Sequence, residues 1–167
     1  MYMLILAHNM RDFSFSKLMD VYIEGNMENA EDQWPDLSEW QKLLRAEQDF
    51  HQYLTEVFFR TSGAVYAIWE ENGKYVSALR LEPYRDGLLL AALETASACR
   101  RRGYAEKLIL AVRNHFAVTK LYSHVNKRNL PSLRVHEKCG FGRILEYAVY
   151  LDGSVNQRCC TLCSDQT

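Results

Sequence analysis

Six consecutive apolar residues, Leu88-Leu89-Leu90-Ala91-Ala92-Leu93, run directly into Glu94 and then into the basic stretch Arg100-Arg101-Arg102-Gly103-Tyr104-Ala105. The run lacks polar alternation and is far shorter than the roughly 20 apolar residues of a membrane span, so it reads as a central strand covered on both faces. Behind it, Ala105, Leu108, Ile109, Val112 and Phe116 mark one face of a helix beginning near Gly103 and ending before Thr119. A buried strand that feeds an amphipathic helix requires a layered fold in which helices cover a sheet.

The rest of the chain alternates in the same way. Tyr2 to Ala7 reads as a strand, Phe13 to about Met27 as a helix, and the stretch after Ser38, with Trp40, Leu43, Leu44, Leu54, Val57 and Phe58, as a second helix. Ala64 to Glu70 and Tyr75 to Leu81 form a hairpin about Asn72-Gly73, the strongest short-range hairpin signal. Lys120 to Val125 is a further strand. Leu130 to Cys139 is a short helix with Pro131 in its first turn and Gly140 at its end. Arg143 to Asp152 and Gln157 to Cys163 look like a closing hairpin. The expectation is one α/β (α+β) domain over residues 1–167, with a mixed, mostly antiparallel central sheet flanked by helices.

Composition bears on partners. The net charge of -1 argues against a nucleic-acid or membrane-surface partner. Met1 to Ala7 has no basic leader, so neither a secretory signal nor a span is expected there. Five cysteines without scaffold spacing fit thiols in a reducing cytoplasm, and Cys159, Cys160 and Cys163 on a strand would not converge on a metal.

A strand, a tight turn and a helix start present unpaired N–H groups and the positive end of a helix dipole, which together suit phosphate. The alternative is a solvated basic helix start. The later stretch Asn129-Leu130-Pro131-Ser132-Leu133-Arg134-Val135-His136-Glu137-Lys138-Cys139-Gly140-Phe141 adds a second signal. Together the two resemble the GNAT superfamily of acyl-CoA-dependent N-acyltransferases. The match lies at Arg100, Gly103 and Ala105 in the pyrophosphate turn, at Leu93-Glu94-Thr95 before it, and at Asn129, Ser132, Val135, Gly140 and Phe141 after it.

The resemblance implies transfer of an acetyl group from acetyl-CoA to a primary amine in a ternary complex, without metal. It places Leu93, Thr95, Arg100, Arg101, Arg102, Gly103, Tyr104, Ala105, Asn129 and Ser132 against the cofactor. Glu94 is the candidate base, unless it simply pairs with the arginines. His136 stands where many members carry the tyrosine that protonates the departing thiolate; it could do the same, or pack on the inner face of its helix. Tyr122 and His124 could line the acceptor site, whereas Trp34, Trp40, Phe50, Tyr53 and Phe58 read as helix packing. The expected partner is a small-molecule amine or peptide acceptor, and a homodimer is compatible with the reading. The alternative function is a non-catalytic acyl-CoA-binding or sensing module. Charge is divided along the chain: residues 20–56 hold ten acidic and two basic side chains, residues 100–143 eleven basic and two acidic. That division suggests a cationic acceptor opposite a polyanionic cofactor.

Overall fold

The computed structural model describes residues 1–165. Its strands are β1 (Tyr2–Ala7), β2 (Val65–Glu71), β3 (Lys74–Tyr84), β4 (Gly87–Thr95), β5 (Lys120–Asn126), β6 (Gly142–Leu145), β7 (Ala148–Val149), β8 (Val155–Asn156) and β9 (Cys159–Cys163). Its main helices are α1 (Phe15–Gln33), α2 (Glu39–Tyr53), α3 (Tyr104–His115) and α4 (Leu130–Lys138). Asn72 and Gly73, with φ of 51° and 80°, close the expected hairpin between β2 and β3 as a turn that matches strand twist. Seven strands lie in the order β1-β2-β3-β4-β5-β9-β6, and β7 and β8 form a separate ribbon. Every described pairing is antiparallel except β4 with β5.

Local chemistry sets the helix ends. Ser38 and Gln41 form a reciprocal capping box at the start of α2, and Ser14 accepts from Lys17 N–H at the start of α1. At the end of α4, Gly140 adopts φ +86°, the Phe141 N–H donates to His136 O and the Gly140 N–H to Glu137 O, as a left-handed helix stop requires.

Two cores cover the two faces of the sheet. Leu108, Ile109 and Val112 of α3, with Phe141, pack on Val65, Ala67, Leu79, Leu81 and Leu90. Leu18, Met19, Val21 and Tyr22 of α1, with Leu54 and Phe58, pack on Tyr66, Ile68 and Ala78 of the other face. Each such side chain fully buried contributes about 1.5–3 kcal/mol before entropy is charged. Among the described residues, no helix is long and apolar enough to cross a membrane.

Three expectations are corrected. The first helix runs on past Met27 to Gln33. The closing hairpin is divided, because β9 lies between β5 and β6 while β7 and β8 pair apart from the main sheet. Most consequentially, of the apolar run only Leu90 is fully buried. Pairing with β5 runs from Gly87↔Lys120 to Leu90↔Ser123, after which β5 follows β9 and β4 follows β3. The second half of β4 therefore borders a gap.

The parallel seam depends on Gly87, where a β carbon would overlap the Lys120 carbonyl oxygen. Gly87→Ala should push the two strands apart and cost about 1–3 kcal/mol, by analogy with overpacked sites. The shift in denaturant midpoint checks this; a variant as stable as the parent would show that the strands separate freely.

Candidate active site

The gap beside β4 is shaped by a bulge. Arg80 lies opposite Ala91 and Ala78 opposite Glu94, so Ala92 and Leu93 together face the single residue Leu79. Ala92 takes φ +52°, and its carbonyl accepts from the Tyr22 hydroxyl at 2.7 Å. Helix α1 thus holds the bulge from one side. Beyond it, Ser77 Oγ donates to the Glu94 carbonyl at 2.8 Å, and the Ala96 N–H donates to Val76 O, which fixes the end of the strand.

From here the chain makes a short turn at Ser97–Cys99 and enters α3 through Arg101 and Gly103, with φ of +63° and +79°. A β carbon on Gly103 would meet nothing within 4 Å, so this glycine is required by its backbone conformation and not by space. The first N–H groups of α3 have no intrahelical acceptor and face the same side as the turn. Across the gap, Asn129 caps α4, its Oδ1 accepting from the Ser132 N–H at 3.2 Å.

These two helix starts border one cleft of about 720 Å³. Of the residues expected at the cofactor, Leu93, Thr95, Arg100, Arg101, Gly103, Tyr104, Ala105, Asn129 and Ser132 line it; Arg102 does not. Pro131, Val135, Lys138, Cys99 and Glu106 complete the wall, and sequence reasoning did not single them out for it. Arg100 is less free than its motif implied: its guanidinium pairs with Glu24 at 2.9 Å and with Glu94 at 3.8 Å.

A second cavity, of about 500 Å³, opens on the α1 face of the sheet. Its wall includes Tyr22, Asn26, Phe50, Tyr53, Arg80 and Glu94. Among the described residues, Glu94 alone lines both cavities. Its side chain is 32% exposed, and burial raises its carboxyl above the usual range; Arg100 pulls it back, and Glu24 and Glu28 push it further up. Gly25 lets α1 approach, since a β carbon there would meet Glu94 Oε1 at 3.3 Å.

The other expected residues lie elsewhere. His136 is 1% exposed, edge-on to Phe141, and lines neither cavity. Its Nδ1 donates to the Ser132 carbonyl at 2.7 Å, so in the neutral imidazole Nε2 is the nitrogen without a proton, and among the described residues it has no partner. Burial lowers the pKa of this imidazole, and the Ser132 bond offsets that only in part. Tyr122 and His124 pack around Tyr84 and Tyr150 and border neither cavity. Conversely, Trp34, Phe50 and Tyr53, expected as packing alone, line the second cavity. Trp40 is exposed, and Phe58 is core. The missed signal lay in α1, where Tyr22, Asn26, Asn29 and Gln33 recur at helical spacing, a polar stripe extending from an apolar face.

No curated protein matches the chain in sequence. Among solved structures, the PaiA N-acetyltransferase of Thermoplasma acidophilum, in complex with coenzyme A, superposes with a TM-score of 0.63 at 10% identity, covering 98% of this chain and 99% of that one. A GNAT-family acetyltransferase of Bacillus cereus gives 0.60 at 17% identity, covering 100% and 99%. A variant of the SpeG spermidine N-acetyltransferase of Vibrio cholerae gives 0.59 at 16%, covering 97% and 92%. At these identities the likeness concerns the fold alone. The model of the acetyltransferase (GNAT) family, however, matches residues 23–141, which span both helix starts, the bulged strand and much of α1, and the chain belongs to that family.

Proposed function

We propose that the protein is an N-acetyltransferase that moves an acetyl group from acetyl-CoA to a primary amine, with both substrates bound together. The observation that carries this reading is the position of Glu94, a carboxylate of raised pKa shared by two cavities on opposite sides of one strand.

The larger cleft suits a polyanion. Arg101, Lys138 and the first N–H groups of α3 would hold the pyrophosphate, with Arg100 adding charge beside Glu24. Asn129 and Ser132 would border the cofactor's arm, and Leu93 and Thr95 its reactive end. When bound, acetyl-CoA supplies an activated acyl carbon whose oxygen gains negative charge under attack. The donor for that oxygen falls to the backbone at Leu93 or Glu94, where the bulge interrupts the ladder; one such donor is worth about 10²–10³ in rate.

The amine enters from the α1 side. Glu94 takes the proton from its nitrogen, directly or through water, because an ammonium near pKa 10 must be neutralised before attack. The C–N bond forms as the C–S bond breaks, and the thiolate takes its proton from solvent, since His136 lines neither cavity. Glu24, Glu28 and Asp49 near this side favour an acceptor that arrives as a cation.

Thiol release from acetyl-CoA with a panel of primary amines tests the reading. Coenzyme A should raise the melting temperature, and thiol release should require an amine. Stabilisation without amine-dependent release would favour an acyl-CoA-binding module; absence of both would overturn the cleft assignment as well.

A further inference from the structure

One charge in the acceptor cavity is not accounted for by proton removal. Arg80 is half-buried, and its guanidinium lies over the Tyr53 ring at 4.9 Å and the Phe58 ring at 5.9 Å. Among the described residues it has no carboxylate within ion-pair distance and no side-chain hydrogen bond. It lines the same cavity as Tyr22, whose hydroxyl holds the bulge; burial raises the pKa of Tyr22 and Tyr66, and the Arg80 charge opposes that rise in part. A guanidinium withdrawn from water without a counter-ion is costly, and its flat fork matches a carboxylate in two parallel hydrogen bonds.

The register relates Arg80 to Glu94. Arg80 is opposite Ala91 and Glu94 is opposite Ala78, so the two lie on neighbouring strands at either end of the bulge. Both line the same cavity without forming an ion pair. A ligand that bridged them would present an ammonium to Glu94 and an anion to Arg80. Tyr22, Trp34, Phe50 and Tyr53 supply an apolar and aromatic wall around that bridge.

We infer that the acceptor is an amine that also bears a carboxylate, in the manner of an α-amino acid with a large apolar or aromatic side chain, and that Arg80 reads the carboxylate. This rests on the N-acetyltransfer reading and narrows it. The acidic rim and the half-buried cation then have complementary roles, one for each end of a zwitterion. Neutral amides and simple monoamines would leave Arg80 unpaired, which a site of this kind rejects.

The test compares matched acceptors: phenylalanine, leucine, methionine and tryptophan, each against its carboxamide. For at least one pair, kcat/KM for the acid should exceed that for the amide by about tenfold or more, although the amide's amine is less basic and more readily deprotonated. In Arg80→Met that ratio should fall to near one whatever the fall in absolute rate, and Arg80→Lys should retain part of it. An amide equal to or better than its acid in every pair overturns the inference, as does an Arg80→Met variant that loses rate on both without changing the ratio. Should Arg80→Met not fold, the parent's ratios and Arg80→Lys decide. A separate arm needs no turnover: calorimetric binding of N-acetylphenylalanine against N-acetylphenylalaninamide to the protein saturated with coenzyme A. If no amine supports thiol release, the transfer reading fails. The Arg80 assignment then stands on an acid preference in that arm, lost in Arg80→Met, and falls without it.

Discussion

Replacement of Glu94 by glutamine should lower kcat by about 10²–10⁴-fold, the usual contribution of a positioned base, while coenzyme A affinity changes little. Glutamine keeps the volume beside Gly25 and removes the charge, so the loss reads proton transfer together with the pairing to Arg100. The pH profile supplies an independent check. Burial, with Glu24 and Glu28, holds the Glu94 carboxyl above the ordinary range, so kcat/KM should fall on acidification at a pH above that of a free carboxylate. Arg100→Gln removes the one charge that lowers it and should move this limb to higher pH. The same shift has a consequence for stability with a definite sign. A carboxyl whose pKa is raised by folding favours the native state in its protonated form, and that stabilisation is lost as pH rises through the folded value. Glu94→Gln should therefore be no less stable than the parent at neutral pH. Undiminished thiol release from this variant would remove Glu94 from the chemistry.

Gly103→Val should weaken coenzyme A binding by about tenfold or more, because a β-branched residue at φ +79° carries roughly 1–2 kcal/mol of strain that the turn can relieve only by moving. Such movement carries the first N–H groups of α3 away from the pyrophosphate. No heavy atom lies within 4 Å of the added β carbon, so the cause is backbone conformation and not a clash. Gly103→Asn, which tolerates the left-handed region, should bind far more nearly as the parent does. Calorimetric titration with coenzyme A reads both variants; normal affinity in the valine variant would show that the turn does not hold the cofactor.

The legible parts of the molecule were those where local chemistry and global packing agree. Asn72-Gly73 states a turn and Gly140 a helix end, each in a residue or two, and each is found as read. The lining of the cleft between α3 and α4 was legible for the same reason, since a strand end and two helix starts carry their own signals. The cavity on the α1 face was not. Its residues come from α1, α2 and β3, which meet only in three dimensions, and in α1 the apolar period stops where Asn26 and Asn29 begin to face the cavity. A helix whose inner face turns polar looks, in one dimension, like a helix that has ended. The apolar run in β4 misled in the opposite sense, for Leu88 to Leu93 describe a strand with neighbours on both sides, and the departure of β5 after Ser123 leaves no trace in the residues of β4. Of the two readings open for His136, the structure displays the packing one, since the ring turns inward against Phe141, a placement that the position on the helix does not specify.

The short pairing of β4 with β5 also bears on how the molecule holds together. Lateral continuity of the sheet passes through the stretch from Gly87 to Leu90, beyond which the flanks are tied by side-chain packing instead of backbone. A ligand lodged between α3 and α4 would bridge this seam and act as a suture, so that occupancy of the cleft stiffens the whole sheet and not merely its rim. The empty and loaded proteins would then differ less in shape than in the ease with which one half of the sheet rocks against the other.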